Sequence, residues 1–197
     1  MPESYIQDKN FENIDFTKQT LPRSTYENCI FSHCNLSYVE LSGCMFIECE
    51  FKSCNLSLAT LNKTALQDVR FIDCKMLGLR FDTCNEFGLS FSFSNCELNH
   101  SSFYHTKIKK TIFKNCQLQE IDFTETDLTG VVFENCDLSR STFERTNLEN
   151  ADFRTAINYS IDPEINKVKK AKFSLGGLPG LLGKYNIVIE NSIWNED

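Results

Sequence analysis

From Cys96 to Phe153 a large apolar residue falls on every fifth position without a miss: Leu98, Phe103, Ile108, Phe113, Leu118, Phe123, Leu128, Phe133, Leu138, Phe143, Leu148 and Phe153. Two residues before each sits a smaller side chain, as in Cys96, Ser101, Thr106, Thr111, Cys116, Thr126, Cys136 and Thr146. An α-helix turns about 140° over five residues and would scatter these side chains around its axis. A strand alternates faces, so a step of five would put half of them in water. A chain that bends after every fifth residue buries both positions and turns three outward. A fixed short period of this kind marks a repeat architecture.

The number of sides per coil follows from a longer lag. Cys96, Cys116 and Cys136 recur at twenty residues, and so do Thr106, Thr126 and Thr146. Earlier, Cys34, Cys54 and Cys74 show the same lag, as do Phe31, Phe51 and Phe71. Four pentads per coil stack like on like at about the 4.8 Å spacing of neighbouring strands. Two sides would leave no room for the Phe rings. The pattern therefore predicts an all-β, four-sided parallel solenoid.

Residues 1–10 form a polar lead-in, which suits an N-terminal cap, since a solenoid needs its first coil covered. One register runs from Phe11 to Phe81, giving an N-terminal block over 11–84. The segment 85–93 then carries a net two-residue slip, because Cys74 to Cys96 spans 22 rather than 20 residues. Without an insertion Glu86 would be central, and a buried unpaired carboxylate is costly. Phe87 and Phe93 at the centres give two six-residue steps, with Gly88 free to take positive φ. A C-terminal block covers 94–157. Asn158 and Pro163 then interrupt the pattern, so 158–197 reads as a loop, a short helix and a tail. The register touches down once more at Ala171 and Phe173. Ser174 caps a helix carrying Leu178, Leu181, Leu182 and Tyr185. Ile187, Val188 and Ile189 read as a brief strand, and Trp194 lies in the polar tail.

Composition adds limits. The 197 residues carry a net charge of −7, which argues against a basic surface that holds nucleic acid directly. Nowhere do eighteen apolar residues run together, and no N-terminal pattern reads as a signal peptide, so no membrane span is expected. The ten cysteines all occupy the small inward position, where a free Cys serves as a small hydrophobe. Stacked thiols point the same way and offer no tetrahedral closure, so neither metal nor disulfide is expected, and reduced thiols favour the cytoplasm. His33, His100 and His105 fall on outward corners without evident partners. A filled solenoid has no pocket for an acid–base pair, and no cofactor motif is present. The expected class is a non-enzyme.

The best pentads are CNLSY, CNLSL, CDLSR, TDLTG, TNLEN and ADFRT. They resemble the A(D/N)LXX pattern of the pentapeptide repeat proteins, which implies a right-handed quadrilateral parallel β-helix. The segment KKAKFSLGGLPGLLGKYNIVIE is similar to the terminus of the quinolone-resistance (Qnr) and MfpA branch. That resemblance implies a homodimer joined end to end through Phe173, Leu178, Leu181, Leu182 and Tyr185. It also implies a DNA-mimicking rod that binds a type II topoisomerase, DNA gyrase or topoisomerase IV. About seven coils at about 4.8 Å make roughly 35 Å, near one turn of B-DNA. The candidate acidic face is the run Glu120, Asp122, Glu125, Asp127, Glu134, Asp137, Glu144, Glu149 and Asp152. Lys107, Lys109, Lys110 and Lys114 form a separate basic cluster. The Qnr proteins of resistant Gram-negative bacteria carry two projecting loops needed for protection, and this chain has only the slip near Phe87. The alternative is a scaffold for another protein partner, for which a surface of mixed charge would speak.

Overall fold

The computed structural model describes residues 4–190, and Trp194 lies outside them. Every strand pairing is parallel. Tyr5–Gln7 pairs with Thr25–Glu27, then Met45–Ile47 and Ala65–Gln67, each partner twenty residues on. Asn10–Glu12, Ile30–Ser32, Glu50–Lys52, Val69–Ile72, Phe91–Ser94, Ile112–Lys114 and Val132–Glu134 form a second sheet of seven strands. The other two sides are held by single bridges, such as Asn35 with Asn55 and Ser102 with Asp122. We number the sides by their first centres: Ile6 first, Phe11 second, Phe16 third and Leu21 fourth. This is the four-sided parallel β-helix that the period of five predicts.

The interior of the second side is a column of phenylalanines. Phe11, Phe31, Phe51, Phe71, Phe93, Phe113, Phe133, Phe153 and Phe173 lie ring over ring, with centroids 4.6–5.3 Å apart. A shorter column, Phe81, Phe103, Phe123 and Phe143, fills the fourth side. The two columns meet edge to face, as for Phe113 and Phe123 at 79°, which is the geometry that ring quadrupoles favour. An internal gap among Leu41, Phe46 and Leu56 measures only about 10 Å³.

The inward position two residues before a centre often carries a donor, and this the apolar pattern did not show. Thr64 donates to the Leu41 carbonyl at 2.8 Å, Thr126 to Phe103 at 2.7 Å and Thr146 to Phe123 at 2.8 Å. Cys49, Cys54, Cys74 and Cys136 direct Sγ at the carbonyls of Tyr26, Phe31, Phe51 and Phe113, each at 3.3 Å. In each of these the acceptor is the centre 23 residues back, and across the slip it is 25 back, as for Cys96 to Phe71 and Ser101 to Met76. The Leu41, Phe103 and Phe123 carbonyls already accept from the N–H groups of Cys44, Thr106 and Thr126, so the Thr hydroxyls satisfy themselves on a second lone pair and tie one coil to the next. All ten thiols are free and buried. Burial pushes Cys49 and Cys84 up to about 12, so these groups stay protonated at neutral pH.

The residue two after most centres turns the corner with positive φ: 51° at Asn28, 52° at His33 and 56° at His105. Asn, Asp and Gly recur there because they tolerate this region best.

The slip is confined to the first side. On the second side Val69 pairs with Phe91 and Phe71 with Phe93, at a spacing of 22 residues. Phe71 and Phe93 still stack at 5.3 Å. Phe87, expected at a centre, is instead 82% exposed. Phe91 and Phe93 are buried in its place, since strand alternation puts both rings inside without a second bulge. Residues 85–90 form the surplus loop, exposed from Asn85 to Gly88, with Gly88 at φ +70° and Leu89 packed against the core.

After Phe153 one more coil forms. Tyr159 and Ile161 are buried where Asn158 and Pro163 break the pattern. Asn166 and Phe173 then return to register, Asn166 donating to the Phe143 carbonyl at 2.9 Å. The expected helix is 3-10 in kind, over Leu175–Leu181 and Gly183–Tyr185, and the Ser174 side chain accepts from the Gly177 N–H. Ile187, Val188 and Ile189 form no strand, because no neighbouring strand lies beside them, and they are exposed. Among the described residues no helix is long and apolar enough to cross a membrane.

Two outcomes follow. Phe113→Ala removes a fully buried ring stacked at 5.0 and 5.2 Å, so denaturant unfolding should show a loss of about 3–5 kcal/mol, against about 1.5 or less for Phe113→Leu. Thiol labelling at pH 8 should modify none of the ten cysteines in the folded protein and all ten after unfolding. Rapid labelling of the native chain would contradict this packing.

Candidate functional site

With the interior filled, function falls to the outer positions. Successive pentads turn a quarter of the way round, so the acidic run divides among the four sides. Asp127 and Glu149 lie on the first side, Glu134 and Asp152 on the second, and Asp137 on the third. Asp122, Glu125 and Glu144 belong to the fourth side, with Glu120 on the corner that leads into it.

Much of this charge is paired one coil away. Lys109 reaches Asp127 at 3.1 Å and Lys114 reaches Glu134 at 2.9 Å. Within one coil, Arg154 holds Asp152 at 2.7 Å. Asp137 accepts from Gln119 at 2.7 Å and Asn158 at 2.9 Å. Its pKa falls to about 2, because hydrogen bonds from Ser139, Asn158 and Gln119 outweigh partial burial.

Two ion-pair ladders edge the fourth side. Glu120 sits between His100, at 3.0 Å, and Arg140. Glu125 sits between His105, at 3.3 Å, and Arg145, at 2.9 Å. His100 and His105, read from sequence as having no partners, each find a carboxylate twenty residues on, a signal carried by the same lag as the cysteines, whereas Ser53 stands at that lag from His33. The Arg145 guanidinium holds the Glu125 carboxyl below its ordinary range. Between the ladders, Asp122 and Glu144 have no cationic partner among the described residues. Exposed pairs of this kind are screened by water and stabilise little, so the ladders shape the surface charge more than they stabilise the fold.

The C-terminal segment divides the candidate dimer contacts. Phe173 ends the ring column, stacked on Phe153 at 5.3 Å, and Leu181 packs against the core. Leu182 is half-buried, while Leu178 and Tyr185 are exposed. Leu175, at 85% exposure, and Val188, at 86%, join the outer face. A groove of about 710 Å³ there is lined by Leu175, Leu178, Pro179, Leu182 and Ile189. The segment is fixed from beneath. The Ile161 N–H donates to the Gly180 carbonyl at 2.8 Å, and a Cβ on Gly180 would come within 2.4 Å of the Tyr159 carbonyl oxygen. Lys184 bridges Asp162 at 2.9 Å and Glu164 at 2.5 Å, and Tyr185 donates to Glu164 at 2.9 Å.

A filled parallel β-solenoid is the class that these features define. Models of pentapeptide repeats match residues 10–46 and 27–62, and a pentapeptide repeat region matches 89–157. The chain belongs to the pentapeptide repeat proteins. No curated protein sequence matches it. The solved structure of full-length QnrB1, a plasmid-mediated fluoroquinolone resistance protein, is similar in fold. Its TM-score is 0.51 at 15% identity, covering 93% of this chain and all of that one. HetL, a pentapeptide repeat protein involved in heterocyst differentiation regulation from the cyanobacterium Nostoc, has 14% identity and a TM-score of 0.33 over 86% of this chain and 88% of that one.

The clamp at Lys184 predicts a pH dependence. Lys184 lowers the pKa of both Asp162 and Glu164. Groups depressed in the folded state stabilise it above their unfolded values, about 4, and lose that contribution as pH falls through the lowered ones. Amide shifts of residues 182–185 should hold steady from pH 7 to about 4.5 and move together with the two carboxyls below that. In Lys184→Met both carboxyls should titrate nearer their ordinary values. A transition of the segment above pH 5 would contradict the clamp.

Proposed function

We propose that this protein is a non-enzymatic, cytoplasmic rod that binds another protein through its outer surface. Two copies pair through the apolar end formed by Leu175, Leu178 and Leu182. The fourth side is offered to a basic, DNA-binding surface of a type II topoisomerase, DNA gyrase or topoisomerase IV, with an effect on its activity or quinolone sensitivity. The observation that carries this reading is the fourth side itself. It combines unpaired Asp122 and Glu144 with Glu120 and Glu125 on a rigid face, and the filled interior leaves binding to the outer surface. The fold shared with a fluoroquinolone resistance protein supports testing this partner first.

A second reading is a scaffold for a different partner. The mixed charge favours it: Lys107, Lys109 and Lys110 on the first side oppose the acids of the fourth. Under either reading the chain itself contacts no nucleic acid and no membrane.

The test is gyrase supercoiling with and without a fluoroquinolone, across a salt series. Asp122→Asn combined with Glu144→Gln should weaken the effect about 3–10-fold at low salt and leave thermal stability unchanged. Supercoiling and drug inhibition that stay unaltered at saturating protein would remove the topoisomerase reading and leave the scaffold.

A further inference from the structure

The first side changes sign where the insertion lies. Before it, the outward positions hold Asp8, Glu27, Glu48 and Asp68. One coil beyond it they hold Lys107, Lys109 and Lys110, all exposed. Lys109 is paired with Asp127 at 3.1 Å. Lys107 and Lys110 have no carboxylate partner among the described residues.

Between the two regions stands the 85–90 loop, with Phe87 at its tip. The ring is 82% exposed, yet its backbone is fixed. Asn85 N–H donates to the Thr64 carbonyl at 2.9 Å and Ser90 N–H to that of Leu66 at 2.9 Å. Gln67 Nε2 donates to the Phe87 carbonyl at 3.3 Å, and Phe87 N–H to Asn85 Oδ1 at 3.0 Å. Asp68 N–H donates to Ser90 Oγ at 2.7 Å, and that hydroxyl donates to Asp68 Oδ1 at 3.0 Å. An aromatic side chain held this way loses little freedom on binding, and such anchors carry much of the energy of protein interfaces. From the end of the loop a groove of about 340 Å³ runs to the lysines, lined by Asp68, Arg70, Ser90, Phe91, Lys109 and Lys110.

The geometry points to a second protein-docking surface on the first side, where Phe87 enters an apolar pocket of the partner and Lys107, Lys109 and Lys110 pair with a short acidic segment beside it. Charge complementarity selects this partner. The basic band is one coil tall, about 4.8 Å, and is bounded by Asp68 before it and Asp127 after it. A few carboxylates fit that height. A nucleic-acid backbone, whose phosphates continue along the rod, would meet the flanking acids. The partner is opposite in charge to the one proposed for the fourth side, so the two surfaces are separable.

The test uses the full chain and a phage-displayed library of random peptides, with the best binder synthesised and measured by fluorescence anisotropy. Selected peptides should carry several Asp or Glu residues beside a bulky apolar one. Phe87→Ser, and separately Lys107→Glu with Lys110→Glu, should weaken binding at least about tenfold. Asp122→Asn with Glu144→Gln should leave it within about twofold, because those residues lie on another side. All these positions face solvent, so unchanged thermal unfolding confirms that the variants fold. Binders that lack acids, or that Phe87→Ser leaves intact, would overturn the proposal. So would single-stranded or duplex DNA whose binding is lost with the same substitutions. Self-association in sedimentation that those substitutions abolish would assign the surface to a second copy and likewise overturn it.

Discussion

The stacking of one phenylalanine on the next, coil after coil, is the constraint on which the rest of the rod depends. A ring at 4.6–5.3 Å from its neighbours above and below requires consecutive coils to return to the same place. That return sets four pentads per coil, the parallel ladder, and the donor position that reaches the centre carbonyls. It also explains why the two extra residues leave the interior untouched. The column passes from Phe71 to Phe93 without a break, and the surplus is expelled on the first side as the 85–90 loop.

The period of five and the lag of twenty made the fold legible before any coordinates. Each buried residue reports the same geometry many times over, so the pattern survives the lapses at Asn158 and Pro163. What the pattern could not show is informative in its own way. Phe87 and Phe91 are equally apolar, and only the strand alternation of Phe91 and Phe93 decides which ring goes inside. The donor role of Cys49, Thr64 and Thr126 was hidden because a thiol and a hydroxyl also pass as small residues. The acidic run from Glu120 to Asp152 is dense along the chain, yet neighbours in sequence are a quarter-turn apart in space. Residues twenty apart share a surface, and at that lag His100, Glu120 and Arg140 form a ladder rather than an acidic stripe.

The surface that results is patterned in sign. The fourth side is acidic and edged by two ladders, whereas the adjoining first side carries a basic band one coil beyond the loop. The end of the rod is apolar, with Leu175 and Val188 outward and the clamp at Lys184 holding the segment in place. A filled core permits this arrangement, because the outward residues are free of any packing duty and their charges vary without cost to the fold.

That separation of core from surface rests on the column being one continuous structure across the slip, and native-state hydrogen exchange tests it most directly. The amides of Ile30–Ser32, Glu50–Lys52, Phe91–Ser94 and Ile112–Lys114 should exchange with one common opening free energy, that of global unfolding. Two distinct free energies, divided at residues 85–90, would show that the slip splits the rod into separate units and would contradict the account.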